Sequence, residues 1–197
     1  MTIAIFGDYE FIPEIGGTER VSVSLAKMLK QYGYGVYFVA WHKYKQLRSY
    51  PFVAEQIILP NGGVLCCEEN ILFLTDFIVK KKVDIIINQY GPFEDFSNFC
   101  FIAKEKTKVK LLSVIHFAPD FAIKAYRADL SRLNYRSYLV RHIRFYMKRV
   151  FPYRLNRIKR KYACLYNRLY RESDAVIRVI SARKASKRER KKYGDSL

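Results

Sequence analysis

Apolar residues in this 197-residue chain come in short runs separated by glycine, proline and charge. Thr2-Ile3-Ala4-Ile5-Phe6 has strand length, and a loop with Pro13, Gly16 and Gly17 follows it. From Thr18 the period becomes helical. Val21, Leu25, Met28 and Leu29 share a face, while Ser22, Lys27, Lys30 and Gln31 fall mostly elsewhere. Gly33-Tyr34-Gly35 is expected to end that helix, because glycine takes the positive φ that helix C-termini often need. Val36-Tyr37-Phe38-Val39-Ala40 is a second buried strand, with a polar and aromatic loop expected from Trp41. Strand, loop, helix and strand make a βαβ unit, which puts the glycines at the carboxyl end of a sheet.

The alternation continues. Gln56-Ile57-Ile58-Leu59 reads as a third strand stopped by Pro60-Asn61-Gly62-Gly63. Residues 67–81 read as a helix with Glu68 and Glu69 at its start and lysines at its end, the order that complements the helix dipole. Its apolar face holds Ile71, Leu74 and Ile78. Residues 83–88 are apolar without alternation, as in a parallel strand covered on both faces. Gln89-Tyr90-Gly91-Pro92 closes that strand; a helix over 94–106 and a strand over 110–116 follow. The expected fold is α/β, a Rossmann-like doubly wound parallel sheet with right-handed crossovers.

The pattern changes after residue 123. Tyr126, Leu130, Leu133, Leu139, Ile143, Tyr146, Met147 and Val150 recur near helical spacing among arginines and lysines. Pro152 is expected to break this stretch, with a second basic helix over 153–170. Charge follows the same division. Residues 1–123 hold 13 Lys and Arg against 13 Asp and Glu, whereas residues 124–197 hold 23 against 5. The whole formal charge of +18 therefore sits in the last third of the chain, which implies an anionic partner. Basic, aromatic-rich amphipathic helices suit an anionic membrane surface, and Arg136, Arg141, Arg144, Lys148 and Arg149 are the candidate contacts, to membrane or to acceptor. The bland reading packs the apolar stripe on the sheet and leaves the arginines solvated. It accounts for the stripe better than for the charge excess.

Four cysteines without a CxxC pair, and three separated histidines, argue against a metal site and for reduced, mostly buried thiols in a cytoplasmic setting. No signal peptide or transmembrane run is expected. At Gly16 and Gly17 two readings stay open locally. One is a tight turn into the helix. The other is a phosphate cradle formed by close backbone approach and the helix N-terminus. The dinucleotide pattern Gly-x-Gly-x-x-Gly is absent. His42, at a strand end, is either exposed or a ligand contact, and His116 either caps a strand or serves a site.

Gly16-Gly17-Thr18-Glu19-Arg20-Val21, followed by Leu25-Ala26, Leu29, Gly33 and Val36, resembles the opening of family 4 glycosyltransferases. Those are retaining enzymes of the GT-B fold. The resemblance spans about residues 1–180 and covers only the family's N-terminal, acceptor-side domain, with residues 181–197 left as a basic tail. It implies sugar transfer from a UDP- or GDP-sugar to a polysaccharide or glycolipid acceptor at the cytoplasmic membrane face, with no other cofactor. It gives Gly16 and Gly17 a place at the donor phosphates, and His116, in His116-Phe117-Ala118-Pro119-Asp120, a catalytic place beside donor sugar and acceptor. Asp120 has no assigned role.

Ser173-Asp174-Ala175-Val176-Ile177 resembles the last strand of that domain, with Arg178 expected to interrupt it and a frayed, frameshifted or truncated tail beyond. The nucleotide-binding domain of the family, with its Glu-x7-Glu motif, is not found, so this chain alone is expected to be weakly active or inactive. A separate chain would then supply the second half. The competing class is a nonenzymatic basic module for membrane or nucleic acid, or a remnant. No nucleic-acid motif supports the RNA or DNA version.

Overall fold

The computed structural model describes residues 1–14, 16–43, 49–116 and 138–178. Two units divide the chain. Residues 1–116 join with the segment from Ser173 onward in an α/β unit, and residues 117–172 form the other. The α/β unit contains β1 (Thr2–Tyr9), α1 (Gly17–Gln31), β2 (Gly35–His42), β3 (Glu55–Ile58), α2 (Glu68–Lys81), β4 (Ile85–Asn88), α3 (Glu94–Thr107), β5 (Lys110–Ile115) and, returning after the second unit, β6 (Ala175–Arg178). The six strands are all parallel, in the order β3-β2-β1-β4-β5-β6. This is the doubly wound arrangement expected from the alternating pattern.

Both faces of the sheet are covered. Ile3 and Ile5 of β1, with Val36, Phe38, Ile87 and Val114, meet Val23 and Ala26 of α1. Ala4 and Phe6 point the other way, and with Val39, Ile86 and Leu111 they meet Leu74, Phe77 and Ile78 of α2 and Phe99 and Cys100 of α3. The period of two along a strand divides the apolar runs between two cores. Phe6 packs on Phe96 and Phe99 with ring centroids 5.6 and 5.3 Å apart. Phe11 stacks on Phe38 at 4.1 Å.

Several boundaries differ from expectation. β1 runs on through Gly7-Asp8-Tyr9, so β2 keeps a partner and continues through Trp41 and His42, with Tyr9 opposite His42. Those two residues are strand, not loop. Helix α1 turns another side inward. Its buried residues are Glu19, Ser22, Val23 and Ala26, with Leu25 and Leu29 packed at the margin. Val21 is 37% and Met28 46% exposed. The buried stripe is rotated because Glu19 finds a polar partner inside, which spacing of apolar residues does not register. The helix ends as expected, with Gly33 at φ +80°. β4 begins at Ile85, two residues late, and Arg178 belongs to β6, paired with Ile115, so it does not interrupt that strand.

The second unit is described through one helix, α4 (Tyr138–Glu172), which is 35 residues long and passes through Pro152. The expected break is absent. An interior proline removes one backbone donor and crowds the carbonyl four residues back, at a cost of about 3 kcal/mol. The flank after it, rich in Leu, Arg and Lys, favours helix, and the helix continues across the proline. Among the described residues, no helix is long and apolar enough to cross a membrane.

Candidate functional site

In this strand order the chain reverses direction across the sheet between β1 and β4. β1 leads away to β2 and β3, and β4 leads away to β5 and β6. The loops leaving the carboxyl ends of β1 and β4 therefore part from one another, and open α/β sheets bind ligands in the crevice so formed. Gly16 and Gly17 follow β1 here, and Asn88, Gln89 and Tyr90 stand at the end of β4. His116 directly follows β5 on the same edge.

Gly16 is the N-cap of α1, in extended backbone at φ −162°, with no side chain capping the helix. Its carbonyl accepts from Arg20 N–H at 3.3 Å and from Arg20 Nε at 3.2 Å. A Cβ added at Gly16 would lie 2.5 Å from Glu19 Oε2, so any other residue there must displace the end of the Glu19 side chain. Gly17 has open space where a Cβ would go. Glu19 is only 5% exposed, and the Tyr90 hydroxyl donates to its Oε1 at 3.1 Å. Burial, followed by the Glu19 charge and this hydrogen bond, pushes the Tyr90 phenol far above its ordinary range.

These facts bear on the phosphate reading in opposite directions. Open space at Gly17 and an uncapped helix start favour an anion. The Glu19 carboxylate already lies against that start and complements the dipole, so a phosphate there meets a like charge.

The end of β4 joins this corner to the histidine. Gln89 N–H donates to the Phe6 carbonyl at 3.0 Å, fixing the residue to β1. Its side-chain Oε1 lies 2.6 Å from His116 Nε2. The next residue is Tyr90, which holds Glu19. Tyr90 N–H is in turn bonded to Asn88 Oδ1 at 2.9 Å, and Ser97 Oγ donates to the Gly91 carbonyl at 2.6 Å. Two side-chain contacts, Tyr90 to Glu19 and Gln89 to His116, thus leave neighbouring residues at the end of β4. Burial pulls the His116 imidazole below its usual value of 6.5, which favours the neutral ring. Asn88 and Gln89 are 0% and 1% exposed, and among the described residues Asn88 Nδ2 and Gln89 Nε2 have no hydrogen-bond partner.

His42 is not freely exposed. Its Nδ1 faces Asp8 Oδ1 at 2.8 Å and its Nε2 faces the Gly62 carbonyl at 2.9 Å, so it ties the β3–α2 turn to β1. Asn70 holds the same turn. Its side chain accepts from Asn61 N–H and donates to the carbonyls of Asn61, Val64 and Leu65.

Arg141, Arg144, Lys148 and Arg149 belong to α4 in the second unit, while Arg136 and Asp120 lie outside the described residues, as does the tail over 181–197. The cysteines are free, but only Cys100 is buried, and burial pushes its thiol up; Cys66 and Cys67 are half-buried and Cys164 is exposed, against the expectation of mostly buried thiols. Among the described residues no three His, Cys, Asp or Glu side chains gather as a metal site.

Glu19, Asn88, Gln89 and Tyr90 were not singled out by sequence as site residues. The available signal was the abrupt change from Ile85-Ile86-Ile87 to Asn88-Gln89-Tyr90 at a strand's carboxyl end. No protein-family model matches this chain, and no curated protein matches it.

Proposed function

We propose that this chain acts as the acceptor-side half of a retaining GT-B glycosyltransferase. It would take a sugar from a UDP- or GDP-sugar and pass it to a glycan or lipid-linked acceptor at an anionic membrane surface. The observation that carries the reading is the placing of the α1 N-terminus and His116 on one edge of the sheet, with Tyr90 bonded to Glu19 and its neighbour Gln89 to His116. The Gly16–Gly17 resemblance and the parallel strand order support it.

In this reading the neutral imidazole of His116 accepts a hydrogen bond from a sugar or acceptor hydroxyl and orients it. The amides at Gly16 and Gly17 and the α1 dipole lie toward the departing diphosphate, where negative charge grows as the sugar leaves. Glu19 limits how near that phosphate comes. Such a cleft takes two α/β units, and the described sheet is one, so a further α/β unit, distinct from the α4 unit, holds most of the nucleotide. Arg141, Arg144, Lys148 and Arg149 on α4 provide cations for phospholipid headgroups.

Calorimetric titration with UDP- and GDP-sugars tests the half-site reading. The expected outcome is binding weaker than about 100 μM, corresponding to less than about 5.5 kcal/mol. Binding at micromolar concentration or tighter would overturn it. Sedimentation with anionic vesicles, compared with a salt-dependent RNA shift assay, tests the partner of the basic unit. Capture by RNA without capture by vesicles would count for a nonenzymatic nucleic-acid module.

A further inference from the structure

Gln89 is an unusual residue to find at the end of a parallel strand. Its side chain is 1% exposed, and its backbone N–H is committed to Phe6 of β1 at 3.0 Å, so the residue is held from both ends. Its amide spends the oxygen on His116 and, among the described residues, leaves its NH2 enclosed without an acceptor. Burying an amide donor unpaired costs about 1–3 kcal/mol, and an apolar residue of similar volume would avoid that cost. Packing therefore gives no reason for a glutamine here. The contact with His116 does.

His116 Nε2 lies 2.6 Å from the amide oxygen Gln89 Oε1, and the identity of that partner points to the ring nitrogen that carries the hydrogen. An amide oxygen only accepts, so Nε2 must donate. In the opposite orientation the amide NH2 would donate to a bare Nε2, but N–H···N bonds are longer than N–H···O bonds, and 2.6 Å is already shorter than the usual N–H···O range. With Nε2 protonated in a neutral ring, the lone pair falls on Nδ1. Among the described residues His116 Nδ1 has no hydrogen-bond partner.

We propose that Gln89 is a positioning residue that locks His116 as its Nε2–H tautomer and leaves Nδ1 as the hydrogen-bond-accepting atom. Under the sugar-transfer reading, on which only this last clause rests, Nδ1 is the atom that meets a hydroxyl of the sugar or acceptor. Gln89 does not itself touch the reacting atoms. It sets which nitrogen does, as the second partner of a functional histidine commonly does.

Long-range 1H–15N correlation spectra of the uniformly 15N-labelled chain, recorded above the imidazole titration range, read the tautomer directly. The expected wild-type pattern for His116 is a pyrrole-type Nε2 and a pyridine-type Nδ1, assigned by its disappearance in His116→Asn. Gln89→Leu is expected to lose this pattern and move both nitrogens toward the averaged shifts of free imidazole. Gln89→Glu, whose carboxylate oxygen still accepts, is expected to retain it. A pyrrole-type Nδ1 in the wild type, or a pattern unchanged in Gln89→Leu, would overturn the proposal. Should Gln89→Leu not fold, a pyrrole-type Nδ1 in the wild type still overturns the proposal, and retention in Gln89→Glu still supports it. No donor or acceptor sugar is needed, so failure here is distinct from failure of the glycosyl-transfer reading.

Discussion

The amino edge of the sheet and the end of β4 on its carboxyl edge treat polar side chains in opposite ways. At the amino edge they close on local partners near the surface. Asp84 Oδ2 accepts Thr2 N–H at 2.7 Å, Asp174 Oδ2 accepts Leu111 N–H at 2.7 Å, and Lys104 Nζ lies 2.9 Å from the same Asp174 oxygen. The first two contacts staple the start of one strand to its neighbour, and the third ties α3 to the start of β6. At the carboxyl edge Glu19, Asn88 and Gln89 are buried, two of the amides keep an unpaired NH2 among the described residues, and one histidine depends on a neighbour for its tautomer. The first edge is built for stability. The second carries a cost that packing alone does not explain, and such costs collect where a ligand is handled.

The sharpest way to separate stabilising from costly groups is to remove one of each. Asn70, buried at the carboxyl edge with all its bonds made, is the control. Asn70→Ala should lose about 3 kcal/mol in urea unfolding, because Asn61 N–H and three carbonyls lose a partner. A loss below about 1 kcal/mol would mean that the β3–α2 turn satisfies itself in other ways.

Gly16 and Gly17 give the next contrast. Gly16→Ala must displace the Glu19 carboxylate, 2.5 Å from the new Cβ, and should cost about 1–3 kcal/mol. Gly17→Ala meets open space and should be neutral or gain about 0.5 kcal/mol. Equal effects at the two positions would show that Glu19 does not hold this corner.

Acid sharpens the comparison further. His116 is depressed by burial, so the unfolded chain takes its proton first. Its contribution to stability is therefore present above the ordinary value of 6.5 and fades as pH falls below it. Asp174 is lowered by the Leu111 N–H bond and then by Lys104, so its contribution persists to lower pH and is lost only as pH falls through the folded-state value. Unfolding curves across pH 3–8 should accordingly show the His116 loss first, and His116→Asn should remove that first step.

The smallest effect belongs to the amino edge. Asp174→Asn should cost less than about 1 kcal/mol at neutral pH, since the side chain is 41% exposed and its ion pair is screened. It should leave ligand shifts at the other edge unchanged, as thermal melts and amide spectra would show.

Much of this architecture is readable from the chain alone. Ile3, Ile5, Ile86 and Leu111 sit in uninterrupted apolar runs, and Gly33 and the charged ends of 68–81 punctuate the helices, so strand and helix order follow from pattern. The side of α1 that turns inward does not follow, because Glu19 is buried and bonded to a tyrosine 71 positions away. The continuity of α4 through Pro152 is likewise a balance between one costly residue and the many helix-favouring residues around it. For the site, position was legible and connection was not. Gly16 and His116 could be assigned to one edge by counting strands. Gln89, which reaches His116 across 27 residues, needed the fold.

Amide chemical-shift mapping tests most directly whether the carboxyl edge is the ligand edge. A UDP-sugar, a GDP-sugar and a neutral oligosaccharide would be titrated in turn into the 15N-labelled chain. At least one should give saturable shifts concentrated at Gly16, Gly17, Gln89, Tyr90, Gly91 and His116. Shifts gathered instead at Asp84, Lys110 and Asp174, or none from any of the three up to their solubility, would contradict the account.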